Sequence, residues 1–447
     1  MDLVKTAGEI FLAYDIRGIF EKTINREVTE RIAGAVAQYP YSTLCIGYDG
    51  RFSSPSLQDA FFEGLKRYGG NLRITSIGMA PTPVVYFTTW KEGYDLGVAI
   101  TASHNPPEFN GFKFVKKDGY SFSDLQGLKE KFLSLKERKG NPEFFYDNNA
   151  LKKYSDFLNY KFSDLSLFGK TVVTESFYGA TSLLFPWFFK KFGAESIPLH
   201  AEVRGDFGGL KPEPDASTIS FLSEKVKEEG AVGIGFDGDG DRSVFVDENG
   251  RMLSSAKASV LFSRQTLENH PGSKILANVE CSSLIKKEVE ERGGELIWTP
   301  VGHTIMEEIM KKEKAMLAVE PSHHYYFADI FPFSDGIVSA LKLFQIIENG
   351  SLASLANTIE DYPMQRIGFS FSTHKEKDEK MKSLEERLKK DYKCNLMDGI
   401  KIFLTDSDWV LIRKSNTEPK IRLTAEAKTK SDLEKILKDF SDIVKSV

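Results

Sequence analysis

Short apolar runs alternate along the chain with longer stretches whose apolar positions recur on a helical period. Leu44-Cys-Ile-Gly-Tyr48 predicts a strand; Leu57, Ala60, Phe61, Leu65 and Tyr68 then keep the spacing of one helix face. Residues 28–37 predict an earlier helix, and 73–77 and 96–100 predict further strands. Strand followed by helix, repeated, predicts a parallel α/β sheet. The pattern resumes with a helix over 150–162 and strands at 171–174 and 231–236. It does so again with strands at 275–279 and 315–319 and helices over 283–292 and from Ile305. From about Gly368 it changes. A stretch dense in Lys and Glu (370–392) predicts a solvated helix, followed by strands at 401–404, 409–413 and 421–425. The capping box Ser431-Asp-Leu-Glu434 opens a last helix, so this part reads as α+β.

At 447 residues the chain is too long for one core. The expected division is 1–146, 147–249 and 250–367 as three α/β domains, with 368–447 as the α+β domain. Ile46-Gly-Tyr-Asp-Gly50 and Ile234-Gly-Phe-Asp-Gly238 echo one another and lend slight support to duplicated domains. Lys139-Gly-Asn-Pro142 suits a linker.

A formal charge of -5 gives no reason to expect nucleic acid, so an anionic ligand would need a local basic cluster. Cys45, Cys281 and Cys394 are far apart and without metal or redox spacing, which predicts reduced thiols. No signal-peptide order and no membrane-length apolar run are present, so a soluble cytoplasmic protein is expected. Association of identical copies is left open.

The chemistry gathers in four loops. Thr101-Ala-Ser-His-Asn-Pro-Pro-Glu-Phe-Asn-Gly-Phe-Lys113 follows the 96–100 strand, so Ser103 is expected to sit exposed just past the strand's carboxyl end. Ligands bind there in open α/β sheets. Without a Gly-x-Ser-x-Gly elbow, a serine hydrolase is disfavoured. Asp237-Gly-Asp-Gly-Asp-Arg242 places three carboxylates at alternate positions, a pattern that can converge on one hard cation. An EF-hand is disfavoured because Arg242 stands where its sharp turn needs Gly. Glu320-Pro-Ser-His-His324 follows another strand, and Arg413-Lys-Ser-Asn-Thr-Glu-Pro-Lys-Ile-Arg422 combines guanidinium, hydroxyl and amide donors suited to a phosphate dianion.

These four strings, in this order, resemble the phosphoserine, metal, sugar-binding and phosphate-binding loops of the α-D-phosphohexomutase family. The resemblance implies three similar doubly wound α/β domains and an α+β lid around a central cleft. It implies exchange of a phosphoryl group between C1 and C6 of a hexose, through phosphoserine at Ser103 and a bound hexose 1,6-bisphosphate, which also serves as activator. Mg²⁺ would be held by Asp237, Asp239, Asp241 and the Ser103 phosphate. Arg17 and Arg242 would steady anionic oxygens, His104 would shape the loop with Asn105, and Lys113 and His303 are the candidates for proton transfer. Glu320, Ser322 and His324 would contact the sugar; Arg413, Ser415, Asn416, Thr417 and Arg422 would grip the phosphate that is not reacting. His323 replaces the family's Gly in the sugar loop, which bears on loop shape and sugar selectivity. Gly240, where the glucosamine branch usually has Ala, leans toward the phosphomannomutase/phosphoglucomutase branch. Phosphoglucosamine mutase, an aspartyl-phosphate phosphatase using Asp237, and a non-catalytic sugar-phosphate-binding relative stay open as alternatives.

Overall fold

The computed structural model describes residues 3–185, 187–348, 350–415 and 419–446. The chain forms two compact bodies, Met1–Leu253 with Ser322–Leu355, and Ser254–Pro321 with Ala356–Val447.

In the first body, a six-stranded sheet runs in the order Ile16–Ile19, Phe109–Lys116, Leu96–Ile100, Thr43–Tyr48, Arg73–Met79, Glu143–Tyr146. The last four strands are parallel, as the strand-then-helix order predicts. The first two are not: Phe109–Lys116 runs antiparallel to Leu96–Ile100, and Ile16–Ile19 runs antiparallel to Phe109–Lys116. The 101–108 loop is thus the turn of a hairpin, and Lys113 stands on a strand. Helix Ser54–Tyr68 begins with Pro55 in its first turn and ends at Gly69, whose φ of 100° suits a residue without Cβ. Its Leu57, Phe61 and Leu65 enter a core with Val28, Ile32, Leu44, Ile46, Val98 and Phe112.

A second sheet in this body has the order Ser243–Val246, Val232–Phe236, Thr171–Glu175, Glu195–Leu199. Its pattern is the same: parallel strands, then one strand turned back antiparallel on Val232–Phe236. The aspartate loop is the turn of that hairpin. The Ile46–Gly50 and Ile234–Gly238 echo falls on strands that do not correspond, because Leu96–Ile100 is the counterpart of Val232–Phe236. Repetition therefore resides in topology, not in those five residues.

In the second body, strands Glu295–Thr299, Lys274–Asn278 and Leu317–Val319 are parallel, accompanied by helices Ser255–Asn269, Ser283–Glu291 and His303–Glu313. A five-stranded antiparallel sheet follows, ordered Met364–Ser370, Lys420–Glu426, Trp409–Lys414, Ile400–Phe403, Cys394–Asn395. Helices His374–Asp391 and Lys430–Ser446 cover it through Leu384, Leu388, Leu433, Ile436 and Phe440. Three α/β sheets and an antiparallel C-terminal sheet are the fold class expected from the alternation of patterns. No helix among the described residues is long and apolar enough to cross a membrane.

Candidate functional site

Ser103 is not exposed, contrary to expectation; only 1% of its surface reaches solvent. The aspartate loop closes over it so tightly that a Cβ on Gly238 would stand 2.6 Å from the Ser103 carbonyl oxygen. A strand end read alone does not reveal a second loop lying on it. Ser103 also holds a φ of 52°, in the left-handed region.

Its hydroxyl lies 3.0 Å from Asp237 Oδ2 and 3.2 Å from His104 Nδ1. Burial first, then Arg242 and Arg17, keep His104 neutral by pushing its pKa far down. Arg17 donates to Asn105 Oδ1 at 2.7 Å and to Asp15 at 2.5 Å, tying the Tyr14–Gly18 segment to the serine loop.

Asp237, Asp239 and Asp241 are all buried, and each offers a carboxylate oxygen within 4.8 Å of the others. The Gly240 and Arg242 amides donate to Asp237 Oδ1 at 3.1 and 3.2 Å. Thr82 donates its hydroxyl to Asp239 Oδ2 at 2.7 Å, and Lys113 Nζ lies 2.8 Å from that oxygen and 2.6 Å from Asp241 Oδ2. Burial disfavours the Lys113 charge, yet Asp239 and Asp241 outweigh it and hold the ammonium well above its ordinary range. Burial, reinforced by Asp241 and Asp239, pushes the Asp237 carboxyl well up. Burial also opposes the Asp241 charge, but Lys113, His324 and Arg242 prevail and hold that carboxyl well down. Asp239 Oδ1 and Asp241 Oδ1 are buried without a hydrogen bond, the latter 3.5 Å from His324 Nε2. Such carboxylate oxygens beside a third carboxylate can serve as donors to a hard divalent cation.

The loop is pinned from below. Ser334 Oγ donates to the Asp241 carbonyl at 2.7 Å, and the Gly336 amide donates to the Gly240 carbonyl at 3.1 Å. Asp335 caps helix Gly336–Ile346 through the Ile337 and Val338 amides and accepts the Tyr154 hydroxyl at 2.7 Å. Sequence reasoning missed Thr82, Tyr154 and Asp335, which come from remote helices and have no local motif.

His324 joins the same body. Its Nε2 lies 3.3 Å from Arg242 Nε and 3.5 Å from Asp241 Oδ1, and its Nδ1 lies 2.9 Å from Ser322 Oγ. His323, standing where the family has Gly, holds a φ of 64°, in the left-handed region where glycine is at ease. Its Nδ1 contacts the Tyr325 hydroxyl at 3.2 Å, and burial beside Arg242 pushes its pKa down to about 4.

Ser103, Arg17, His104, Lys113, Arg242, Ser322, His324 and the three aspartates therefore lie in one body. His303, Glu320, Arg413, Ser415 and Arg422 lie in the other. There, His303 opens helix His303–Glu313, and Glu320 is buried and accepts from Asn278 Nδ2 at 3.1 Å. Arg413 stands opposite Arg422 in register and is held by Asp398 at 2.8 Å and Glu280 at 3.5 Å. The Ser415 carbonyl accepts from Lys377 Nζ at 2.9 Å. Asn416 and Thr417 fall outside the described residues.

Four family descriptions of phosphoglucomutase/phosphomannomutase match in order: α/β/α domain I over residues 8–138, domain II over 151–250, domain III over 255–363 and the C-terminal domain over 373–443. A phosphomannomutase/phosphoglucomutase of Pseudomonas syringae is 33% identical, over 98% of this chain and 95% of its own. A phosphoglucosamine mutase of Methanocaldococcus jannaschii is 31% identical, over 96% and 97%. The crystal structure of a phosphoglucomutase/phosphomannomutase family protein from Burkholderia thailandensis superposes with a TM-score of 0.88 at 27% identity, covering 98% of this chain and 97% of that one.

Proposed function

The chain belongs to the phosphoglucomutase/phosphomannomutase family and is a phosphomutase, and from that premise we propose that it interconverts hexose 1-phosphates and hexose 6-phosphates through phosphorylated Ser103. One observation carries the reading: the buried Ser103 hydroxyl lies 3.0 Å from the first of three clustered aspartates.

In the forward half, the phosphorus–Oγ bond of Ser103 breaks as a sugar hydroxyl oxygen bonds to phosphorus. His303 takes the hydroxyl proton, and Lys113, held as an ammonium by Asp239 and Asp241, gives one to the departing Ser103 Oγ. The resulting bisphosphate turns over while bound, and its other phosphate returns to Ser103, leaving the isomeric monophosphate. Asp237, Asp239 and Asp241, with the serine phosphate, would hold Mg²⁺, which supplies Lewis-acid neutralisation of phosphoryl charge. Arg17 and Arg242 steady the transferring group, Glu320, Ser322 and His324 contact the sugar, and the Arg413–Arg422 loop holds the idle phosphate. Hexose 1,6-bisphosphate primes a dephosphorylated enzyme.

Mannose and glucose phosphates are the favoured substrates. Gly240 has a φ of 80°, and a Cβ there would stand 2.5 Å from Thr181 Cγ2, so the alanine usual in the glucosamine branch is disfavoured here. The name of the Methanocaldococcus jannaschii relative favours a second reading, glucosamine phosphate. All three 1-phosphates should be assayed with Mg²⁺ and a trace of hexose 1,6-bisphosphate. Mannose and glucose 1-phosphate are expected to be isomerised and Ser103→Ala to lose most of the rate. An unaffected variant ends the phosphoserine reading.

A further inference from the structure

Arg51 is among the most buried side chains of the protein, at 1% exposure, and it faces no part of the reaction described above. Its five N–H donors are all engaged. Nε donates to Asp49 Oδ2 at 2.9 Å. Nη1 donates to the carbonyls of Pro106 at 2.6 Å and Phe109 at 3.1 Å. Nη2 donates to the carbonyls of Ser103 and Asn105, each at 2.8 Å. The Phe207 ring stacks against the guanidinium, with its centroid 4.8 Å from Cζ.

Four carbonyls of one loop thus converge on a single rigid plane. Asp49 sets that plane: it accepts the Arg51 amide at 3.0 Å, Ser54 Oγ at 2.6 Å and Thr101 Oγ1 at 2.8 Å. Thr101 Oγ1 in turn accepts the Ser103 amide at 2.9 Å. Both backbone groups of Ser103 are therefore fixed by one connected network, on a residue whose left-handed φ is unfavourable unless its surroundings impose it.

We propose that Arg51 is the positioning residue that holds the serine loop in this strained shape and so aims Ser103 Oγ at Asp237. The assignment rests on the phosphoserine reading for the reaction it serves. A loop that lends and regains a phosphate must keep one shape while the charge on Oγ changes by about two units. A permanently charged fork bound to carbonyls keeps its bonds through that change, whereas a titratable group would not. Lysine retains the charge but offers one nitrogen, which cannot span four carbonyls.

The test is Arg51→Lys, with Asp49→Asn as a second variant that loosens the fork but leaves it in place. In Arg51→Lys, kcat should fall about 10²-fold, the penalty of misplacing a reacting atom by about 1 Å, with KM for the sugar phosphate within about twofold. Intact mass should show Ser103 phosphorylated by hexose 1,6-bisphosphate far more slowly than in wild type. Amide hydrogen exchange should quicken within 101–110 and nowhere else; this readout needs no turnover. Asp49→Asn should shift all three in the same direction by less. If wild type never takes up phosphate, the phosphoserine reading fails, and the exchange data still decide the positioning role. Unchanged exchange over 101–110 overturns the proposal, as does a rise in KM at constant kcat. If Arg51→Lys does not fold, Asp49→Asn decides on the same readouts.

Discussion

The Ser103 hydroxyl lies 3.0 Å from Asp237 Oδ2 although 134 positions separate the two in sequence. Each residue closes the hairpin of its own sheet, so two copies of one topology place a hydroxyl and a carboxylate face to face. In the phosphorylated form proposed above, the aspartates and the Ser103 phosphate would repel unless a cation joined them. Asp237→Asn should therefore weaken divalent-cation binding by at least about 10–100-fold, the loss that even outer-shell partners produce. Calorimetric titration with Mg²⁺ or Mn²⁺ measures it. Ser103→Ala should leave cation binding to the unphosphorylated protein within about threefold, since the three carboxylates remain. Wild-type affinity in Asp237→Asn would remove the triad from the metal site.

Lys113 presents a different balance. Its ammonium bridges Asp239 and Asp241 at 2.8 and 2.6 Å, the carboxylates a metal ion would use. Two cations compete for the same charge, so Lys113→Met should tighten divalent-cation binding by at least about tenfold. Turnover should move the opposite way, falling about 10²–10⁴-fold if the lysine also gives a proton to the departing Ser103 oxygen. Cation titration and steady-state rates on one preparation give both numbers. Weaker cation binding in the variant would mean that Lys113 only holds the loop together.

The parts of this site that can be read from sequence are those whose chemistry is contiguous. Ser103 and the three aspartates announce themselves because each stands in a run of neighbouring polar residues just past a strand. Arg51 does not, although Asp49-Gly-Arg51 follows a strand just as Asp237-Gly-Asp does. What distinguishes it is convergence of four distant carbonyls, a property of the folded loop. Strand Ile16–Ile19 was likewise hidden, since four residues with Arg and Gly in the middle carry no periodicity. The burial of Ser103 depends on Gly238 admitting close backbone approach, and the glycine alone could equally have marked an open turn.

Lys401 offers a pH-dependent test of the second body. It stands on strand Ile400–Phe403, almost fully buried, and donates to the Val279 carbonyl at 2.8 Å. The rings of Trp409, Trp298 and Phe403 surround its Nζ at 4.0, 4.2 and 5.0 Å. Glu280, Glu426 and the Cys281 thiol face it, and none is close enough to form an ion pair with it. Burial pushes its pKa down to about 8, only partly offset by those neighbours. The folded state then releases its proton before the unfolded chain does. Between the folded value of about 8 and the ordinary value of 10.5, the unfolded chain holds more protons, so stability contributed by this group rises with pH. Below that window the buried charge is a fixed burden. The stability of wild type relative to Lys401→Met should accordingly increase by up to about 3 kcal/mol from pH 7.5 to 10.5, less whatever the rings recover by cation–π attraction. Urea unfolding of both proteins across that range checks it, and comparing the pair cancels the titration of every other group. A difference that stays flat would show that the aromatic cage holds the ammonium charged throughout.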